Sequence, residues 1–348
     1  MTGISAVDLF CGAGGLTYGF QQAGLPVNAG YDIDPACKFP FEHNNQARFI
    51  LRSVEDVSGK DLAADFPIGD IKVLAGCAPC QPFSNYSRRY SETPSYSDKE
   101  VKWKLLYDFA RLVRECNPEI VSMENVPQLR LHKVFQEFIT ELEQLGYFVA
   151  FYEVDCLRYG IPQTRKRLVF FASKFGKINL IPATHNKINY ETVRKTIDHL
   201  EPLVAGKSSK TDRLHRCSKL SELNLCRIRS SRPGGTWRDW SENLVAKCHL
   251  KDSGKTYPAV YGRMEWDTPS PTITTQCFGF GNGRFGHPEQ DRAISLREAA
   301  LLQTFPNDYE FVAPDDPVRF TRVGRLIGNA VPVKLAQVVA QSILDYLR

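Results

Sequence analysis

The chain has 348 residues, of which 43% are hydrophobic and 24% are charged, and its formal net charge is +5 at pH 7. This ordinary globular composition suits one large domain or two unequal ones. Because no run of about 18 apolar residues is present and no basic segment precedes the first apolar stretch, we expect neither a membrane span nor a signal peptide. The 10 cysteines are too sparse for a disulfide scaffold, so we expect a cytoplasmic protein with reduced thiols.

The first half of the chain alternates short apolar runs with helical patterns. We predict strands at 4–10, 27–33, 71–77, 119–126 and 167–173, and helices at 16–24, 103–116 and 134–147. Strands that alternate with helices of this length predict a parallel sheet with right-handed crossovers and helices on both faces. The expected fold class is therefore α/β.

This rhythm stops near residue 180. Residues 181–290 are rich in Ser, Gly, Pro and Asn, and they contain 17 Lys and Arg residues against 11 Asp and Glu residues. We interpret them as a smaller, irregular domain whose basic surface either meets phosphates or is simply solvated. Regular structure returns at 295–304, where Ser295 and Glu298 form a capping-box pattern. The last helix is expected from about Pro332 to Leu347.

A glycine-rich turn follows the first predicted strand, in the sequence Asp-Leu-Phe-Cys-Gly-Ala-Gly-Gly at 8–15. Such a turn lets the backbone approach a nucleotide at a helix N-terminus. The spacing is not GxGxxG and no lysine follows, so it fits neither a dinucleotide site nor a phosphate-binding loop. Asp32 and Asp34 close the second strand, where a carboxylate suits ribose hydroxyls but is also a common turn residue.

A cysteine between two prolines follows the third strand, in Ala-Pro-Cys-Gln-Pro-Phe-Ser at 78–84. Loops at the carboxyl ends of parallel strands hold ligands in open α/β sheets, and the Cys80 thiol is a potential nucleophile there. A buried apolar cysteine is the plainer interpretation. Cys77 and Cys80 also form a CxxC pair, but no second pair or HxxxH partner supports a metal or redox site.

One more polar motif ends a strand of the same region, and another leads into its last strand. Glu124 belongs to Glu-Asn-Val at 124–126 and is expected beside the 77–84 loop, either as an acid–base group or as a capping residue. In Gln-Thr-Arg-Lys-Arg-Leu at 163–168, alternation along an extended chain predicts that Gln163, Arg165 and Arg167 share one face. Two guanidiniums there suit an oxygen acceptor or a phosphate, although a basic edge strand is the alternative.

Together, DLFCGAGG, GCAPCQPFS, MENV and QTRKRL resemble, in this order, the signature motifs of the DNA (cytosine-5-)-methyltransferases. Residues 297–306 and 328–332 complete the resemblance, which is closest to the bacterial or phage restriction–modification type. It implies a Rossmann-like S-adenosylmethionine-dependent methyltransferase sheet in a catalytic domain formed by residues 1–180 and 291–348. Residues 181–290 would be the target recognition domain.

The resemblance also implies a mechanism. Cys80 would add to carbon 6 of cytosine, and Glu124 would hydrogen-bond N3 and the exocyclic amine. Arg165 and Arg167 would position the base through its O2. The base must leave the duplex stack to react. Residues 84–103 would form the mobile loop that closes over the base, and 271–275 resemble a short threonine-containing recognition motif, although a simple β-strand fits them equally.

The implied cofactor is S-adenosylmethionine, with S-adenosylhomocysteine as product and no metal. The residues expected to hold it are Phe10, Gly12, Gly14, Gly15, Asp32, Ile33, Pro79, Leu105, Asn329 and Ala330. One residue departs from the family pattern. The family often has an aspartate that contacts the adenine amino group, and Ser53 stands in that place here. Glu55 and Asp56 lie close by in the sequence.

The expected partner is double-stranded DNA, and a separate cognate restriction endonuclease fits the same setting. We expect a monomer. An NAD-dependent oxidoreductase would share the sheet but would need GxGxxG. The tRNA-methylating branch of the same family is the nearer alternative, and its Cys-Phe-Thr motif is only half matched by Cys277-Phe278-Gly279.

Overall fold

The structure is a computed structural model that describes residues 3–79 and 96–348. The chain divides into two compact units. The first comprises Met1–Tyr159, Lys166–Thr184 and Val331–Arg348, and the second comprises Gly160–Arg165 and His185–Ala330. These limits differ from those of the two functional domains expected from the sequence, which were 1–180 with 291–348 for one domain and 181–290 for the other. The catalytic and recognition roles of those domains stay a prediction.

The first unit is built on a seven-stranded sheet. The strands of the described residues are β1 (Ile4–Leu9), β2 (Val27–Asp32), β3 (Arg48–Leu51), β4 (Ile71–Gly76), β5 (Ile120–Asn125), β6 (Phe148–Asp155) and β8 (Lys166–Ser173), with β7 (Gln163–Thr164) and β9 (Ser270–Pro271) in the second unit. The sheet order is β3-β2-β1-β4-β5-β8-β6. The first five strands pair in parallel, whereas β8 is antiparallel to both β5 and β6.

The α/β fold is confirmed, with corrections to the sheet. The expectation of a parallel sheet was wrong for β8, because a buried apolar run carries no signal for strand direction. The strands β3 and β6 were not expected from the sequence. Because β6 lies at the edge of the sheet, it contains both exposed and buried residues and does not form the continuous apolar run by which other strands were predicted.

The helices predicted at 16–24, 103–116, 134–147, 295–304 and 332–347 are all present, whereas the other six α-helices of the described residues were not predicted. In the first unit the α-helices are α1 (Gly15–Gln22), α2 (Lys38–Asn44), α3 (Gly59–Ala63), α4 (Tyr96–Cys116), α5 (Lys133–Gln144) and α11 (Val333–Leu347). In the second unit they are α6 (Val193–Ile197), α7 (Glu222–Arg229), α8 (Asp252–Lys255), α9 (Leu296–Leu302) and α10 (Phe320–Asn329). The capping box before α9 is confirmed, since Ser295 and Glu298 exchange both hydrogen bonds.

Helices cover both faces of the sheet. Val7 and Leu9 of β1 lie in one hydrophobic cluster with Phe109 of α4 and Phe135 of α5. Asp8 points to the opposite face, because successive side chains of a strand alternate. There it accepts a hydrogen bond from Thr17 of α1 at 2.7 Å. The carboxyl ends of the parallel strands are therefore held between two layers of helices.

Helix α1 packs closely against α11 at Gly19. A Cβ atom added at Gly19 would lie 2.4 Å from the carbonyl oxygen of Val333 and 2.5 Å from the Cβ of Ala336. Real Cβ atoms do not approach other heavy atoms so closely, so only glycine allows this helix spacing. The contact fixes α1, whose N-terminus begins at the glycine-rich turn.

One stretch of the chain, Phe320–Leu347, is long and apolar enough to cross a membrane by length and composition alone. It comprises α10 and α11, and 67% of its most apolar window is buried inside the protein. Core helices of soluble proteins pass the same test. The stretch is therefore weak support for a membrane span.

The second unit contains a buried pair of glutamine side chains. Gln163 donates through Nε2 to the carbonyl of Leu302 at 2.7 Å and to Oε1 of Gln303 at 2.6 Å, and its Oε1 accepts from the Ile273 amide at 2.9 Å. Gln303 donates in turn to the carbonyls of Ile327 and Ala330 at 2.8 and 3.0 Å. These bonds occupy both amide groups. They tie β7, the segment after β9 and the ends of α9 and α10 together.

We expect Gly19→Ala to lower the melting temperature. In an open helix this change stabilises a protein by about 1 kcal/mol, but here overpacking against α11 costs about 1–3 kcal/mol. Thermal unfolding checks the sign, with Gln22→Ala, at an exposed position of α1, as the control that changes little. A higher melting temperature for Gly19→Ala would show that the helix spacing is not constrained at this point.

We expect Gln163→Leu to destabilise the protein by about 2 kcal/mol or more, since it leaves buried partners on Gln303 and Ile273 without a hydrogen bond. Urea unfolding of Gln163→Leu, of Gln303→Leu and of the double variant Gln163→Leu/Gln303→Leu measures this effect. The double variant should lose less than the sum of the single variants, because removing both polar partners leaves fewer unsatisfied groups. Strictly additive losses would contradict a coupled pair.

Candidate active site

The proposed nucleophile Cys80 lies outside the described residues, as do 84–95 of the proposed mobile loop. The remainder of that loop, 96–103, is helical, since α4 begins at Tyr96. The helix predicted at 103–116 therefore starts seven residues earlier than expected. On the other side, the chain is described as far as Pro79, which is half-buried.

Glu124 lies at the carboxyl end of β5 with its side chain only 5% exposed. The Cys77 thiol donates a hydrogen bond to its Oε2 at 3.0 Å. The Arg167 Nε lies 2.8 Å from its Oε1 in an ion pair. Burial of a carboxylate is costly unless opposite charge and donors are close, and here each oxygen has its own neighbour. The arrangement can hold a carboxyl group in one orientation.

Asn125, the next residue, fixes the segment that leads toward Cys80. Its Nδ2 donates to the Ala78 carbonyl at 3.0 Å, and its Oδ1 accepts from the Val126 amide at 2.9 Å. The Asn125 side chain is buried, so these bonds are shielded from water. The expected proximity of the Glu-Asn-Val motif and the residues after β4 is thus observed for residues 77 and 78.

The two arginines of the QTRKRL motif belong to different units. The backbone turns at this point, because the Arg165 amide donates to the Gln163 carbonyl at 2.8 Å and separates β7 from β8. The expectation of one extended chain with Gln163, Arg165 and Arg167 on a shared face was therefore wrong. Arg165 is buried in the second unit and donates to the carbonyls of Ile273 and Ala330, both at 3.4 Å.

The glycine-rich turn after β1 has an unusual backbone. Phe10, Gly12 and Gly14 have positive φ values of 59°, 53° and 89°. Gly12 donates its amide to Oδ2 of Asp32 at 3.0 Å. Gly14 is the N-cap of α1 and Gly15 is its first residue. The turn thus brings backbone amides to the edge of the sheet where β2 ends.

Asp32 is the carboxylate at this edge. Its Oδ1 accepts from the Asp34 amide at 2.9 Å. Burial raises the pKa of the Asp32 carboxyl, and the amides of Asp34 and Gly12 offset part of that shift. The Ile33 amide lowers this pKa as well, by less than the other two amides. A carboxylate has about four acceptor positions, so Asp32 can accept from a further donor. Ile33, next to it, is 69% exposed, an apolar side chain open to a flat ligand.

The remaining residues expected to hold the cofactor fall in both units. Leu105 is half-buried and packs against the main core cluster of the first unit. Asn329 ends α10 in the second unit and is exposed, whereas Ala330 is buried and its carbonyl accepts from Gln303. Ser53 caps a short 3-10 helix, Val54–Asp56, through its hydroxyl. Its expected place near the adenine stays a prediction.

Sequence reasoning missed two contacts of this edge. Cys77 was considered only as half of a CxxC pair, yet its thiol contacts Glu124. Asp8 was considered only as part of the turn motif, yet it is buried against Thr17, and burial raises its pKa to about 7. The sequence signal that could have indicated these contacts is the presence of polar residues at the ends of adjacent strands. Among the described residues, no group of three or more His, Cys, Asp or Glu side chains is placed to hold a metal ion.

Comparisons with known proteins agree with these motifs. The family model described as C-5 cytosine-specific DNA methylase matches residues 4–345. The chain is 54% identical to the Type II methylase M.HgiDII of Herpetosiphon aurantiacus, over 99% of this chain and 96% of that protein. It is 30% identical to the Type II methyltransferase M1.HphI of Haemophilus parahaemolyticus, over 98% and 87% of the two chains.

A solved structure extends the similarity to the fold. A prophage-encoded E. coli protein assigned to the DNA modification methyltransferases matches with a TM-score of 0.74 and 20% identity, over 99% of each chain. The whole-chain family match and the bacterial relatives favour action on DNA over the tRNA alternative. The chain therefore belongs to the C-5 cytosine-specific DNA methylase family and is a DNA cytosine-5 methyltransferase that uses S-adenosylmethionine.

Proposed function

We propose that this chain is the methyltransferase of a type II restriction–modification system. It methylates carbon 5 of a cytosine turned out of a specific duplex DNA sequence, through a covalent bond between Cys80 and carbon 6. The observation that carries the proposal is the buried Glu124 carboxyl, with the Cys77 thiol on one oxygen and Arg167 on the other. It lies beside the segment that leads to Cys80.

The proposed chemistry starts from the weak nucleophilicity of carbon 5. The Cys80 thiolate would form a bond to carbon 6, and the displaced electron pair would move into the ring toward carbon 5 and N3. Glu124 would hold a proton at N3 and accept a hydrogen bond from the exocyclic amine, which stabilises that charge. Carbon 5 would use that electron pair to bond the methyl group, whose bond to the cofactor sulfur breaks. The carbon-5 proton would then leave to water, and the electrons of that C–H bond would restore the C5–C6 double bond as the bond between Cys80 and carbon 6 breaks, returning the thiolate. Arg165 and Arg167 would orient the base.

The cofactor site is supported by the edge formed by β1 and β2. When bound, S-adenosylmethionine supplies an electrophilic methyl group and leaves as S-adenosylhomocysteine. Asp32 can accept from a ribose hydroxyl, and Ile33 offers an exposed apolar surface for the adenine. At Gly12 no described atom lies within 4 Å of an added Cβ, so the turn leaves open space. Phe10, Gly14, Gly15, Pro79, Leu105, Asn329 and Ala330 complete the proposed set.

Residues 181–290 would supply DNA recognition. Their excess of 17 Lys and Arg over 11 Asp and Glu residues suits contact with phosphates, while other side chains would read base edges. Thr272 donates to the Thr164 carbonyl at 2.9 Å, so the 271–275 segment is anchored to β7. The enzyme would act on duplex DNA as a monomer, and a separate endonuclease would cut the same unmethylated sequence.

The test is transfer of labelled methyl groups from S-adenosylmethionine to mixed duplex DNA and to tRNA. We expect 5-methylcytosine in DNA only, no transfer by Cys80→Ser, and a rate about 10²–10⁴-fold lower for Glu124→Gln. Cys116→Ala, which removes a buried thiol of α4 that belongs to none of the motifs, is the matched control. Label in tRNA, or full activity of Cys80→Ser, would contradict the proposal.

The proposed ribose contact gives a second prediction. Asp32→Ala should weaken binding of S-adenosylmethionine about tenfold or more, because hydrogen bonds to a charged group contribute about 1.5–3 kcal/mol. Calorimetric titration measures the dissociation constant without DNA. Asp34→Ala is the control: it removes a neighbouring carboxylate that accepts from the Ala36 amide instead. Equal losses for both variants would indicate a general effect of charge rather than a contact.

A further inference from the structure

Cys77 is held directly across from Glu124 by the sheet. The parallel register of β4 and β5 pairs Gly76 with Met123, so the next position along each strand is Cys77 and Glu124. The Cys77 amide also donates to the Leu9 carbonyl at 3.3 Å, which continues the β1–β4 ladder one residue past Gly76. The thiol therefore meets the carboxyl from a backbone position fixed by two neighbouring strands.

The two oxygens of Glu124 have neighbours of different chemistry. The guanidinium of Arg167 at Oε1 is always charged and can only donate. The thiol of Cys77 at Oε2 can donate a hydrogen bond to a carboxylate and, as a weak acceptor, can accept a hydrogen bond from the O–H of a carboxylic acid. A group that holds and releases a proton during a reaction exists in both forms. Of the two neighbours, only the thiol can bond to both.

We propose that Cys77 is a positioning residue for methyl transfer, whose thiol holds the Glu124 carboxyl in one orientation in both of its protonation states. This inference rests on the proposed role of Glu124. Cys77 does not touch the base or the cofactor in this mechanism. It acts by keeping a long side chain with several rotatable bonds from leaving the edge of the sheet.

The experiment compares Cys77→Ala and Cys77→Ser with the wild-type enzyme in steady-state and single-turnover methyl transfer to duplex DNA. Cys77→Ala should lower kcat and the single-turnover rate about tenfold, the value of one hydrogen bond, while KM for DNA and for S-adenosylmethionine changes by less than about twofold. Cys77→Ser should recover most of that loss, because a hydroxyl also donates and accepts. Cys116→Ala, which removes a buried thiol from α4, should keep the wild-type kcat.

Three results would overturn the inference: a wild-type kcat in Cys77→Ala, a rise in KM alone, or Cys77→Ser as slow as Cys77→Ala at equal melting temperature. Should Cys77→Ala fail to fold, Cys77→Val, which fills similar space but cannot hydrogen-bond, carries the same comparison. Glu124→Gln is measured alongside to separate the two proposals. If Glu124→Gln keeps full activity, the proposed function of Glu124 fails; if it is inactive while Cys77→Ala is unaffected, only the role of Cys77 fails.

Discussion

The cost of burying the Glu124 carboxyl is the constraint on which this edge of the sheet depends. An isolated carboxylate in such a place is disfavoured by several kcal/mol, so the fold must bring partners to it. One partner is Cys77, which directly follows β4, and the other is Arg167 of β8. The sheet order places β5 between these two strands, so both partners arrive from immediate neighbours.

The antiparallel direction of β8 has a consequence for the site. Because β8 runs against β5, its first residues lie beside the carboxyl end of β5, and the register pairs Leu168 with Asn125. Arg167 is thereby brought next to Glu124 at the start of a strand. A parallel strand in the same place would present its last residues there instead. The single reversal in the sheet therefore determines which motif meets the carboxyl.

Much of this architecture follows from local patterns in the sequence. Strands β1, β2, β4, β5 and β8 are apolar runs bounded by polar turns, and they were predicted near their observed limits. The sequence pattern could not give the direction of β8, nor the turn at Arg165 that separates β7 from β8, because both depend on tertiary pairing. The register of β4 against β5 is also tertiary, which is why the Cys77–Glu124 contact was not foreseen.

Two buried carboxyls near the same sheet edge, those of Asp8 and Glu124, have different neighbours to offset the cost of burial. Asp8 lies on β1 with a threonine hydroxyl as its hydrogen-bond donor, and burial raises its pKa to about 7. Burial shifts Asp8 toward its uncharged form, which costs less to bury than a carboxylate. Its bond to Thr17 spans the glycine-rich turn and fastens the strand to α1. Glu124, with a guanidinium at one oxygen and a thiol at the other, instead has an opposite charge beside it.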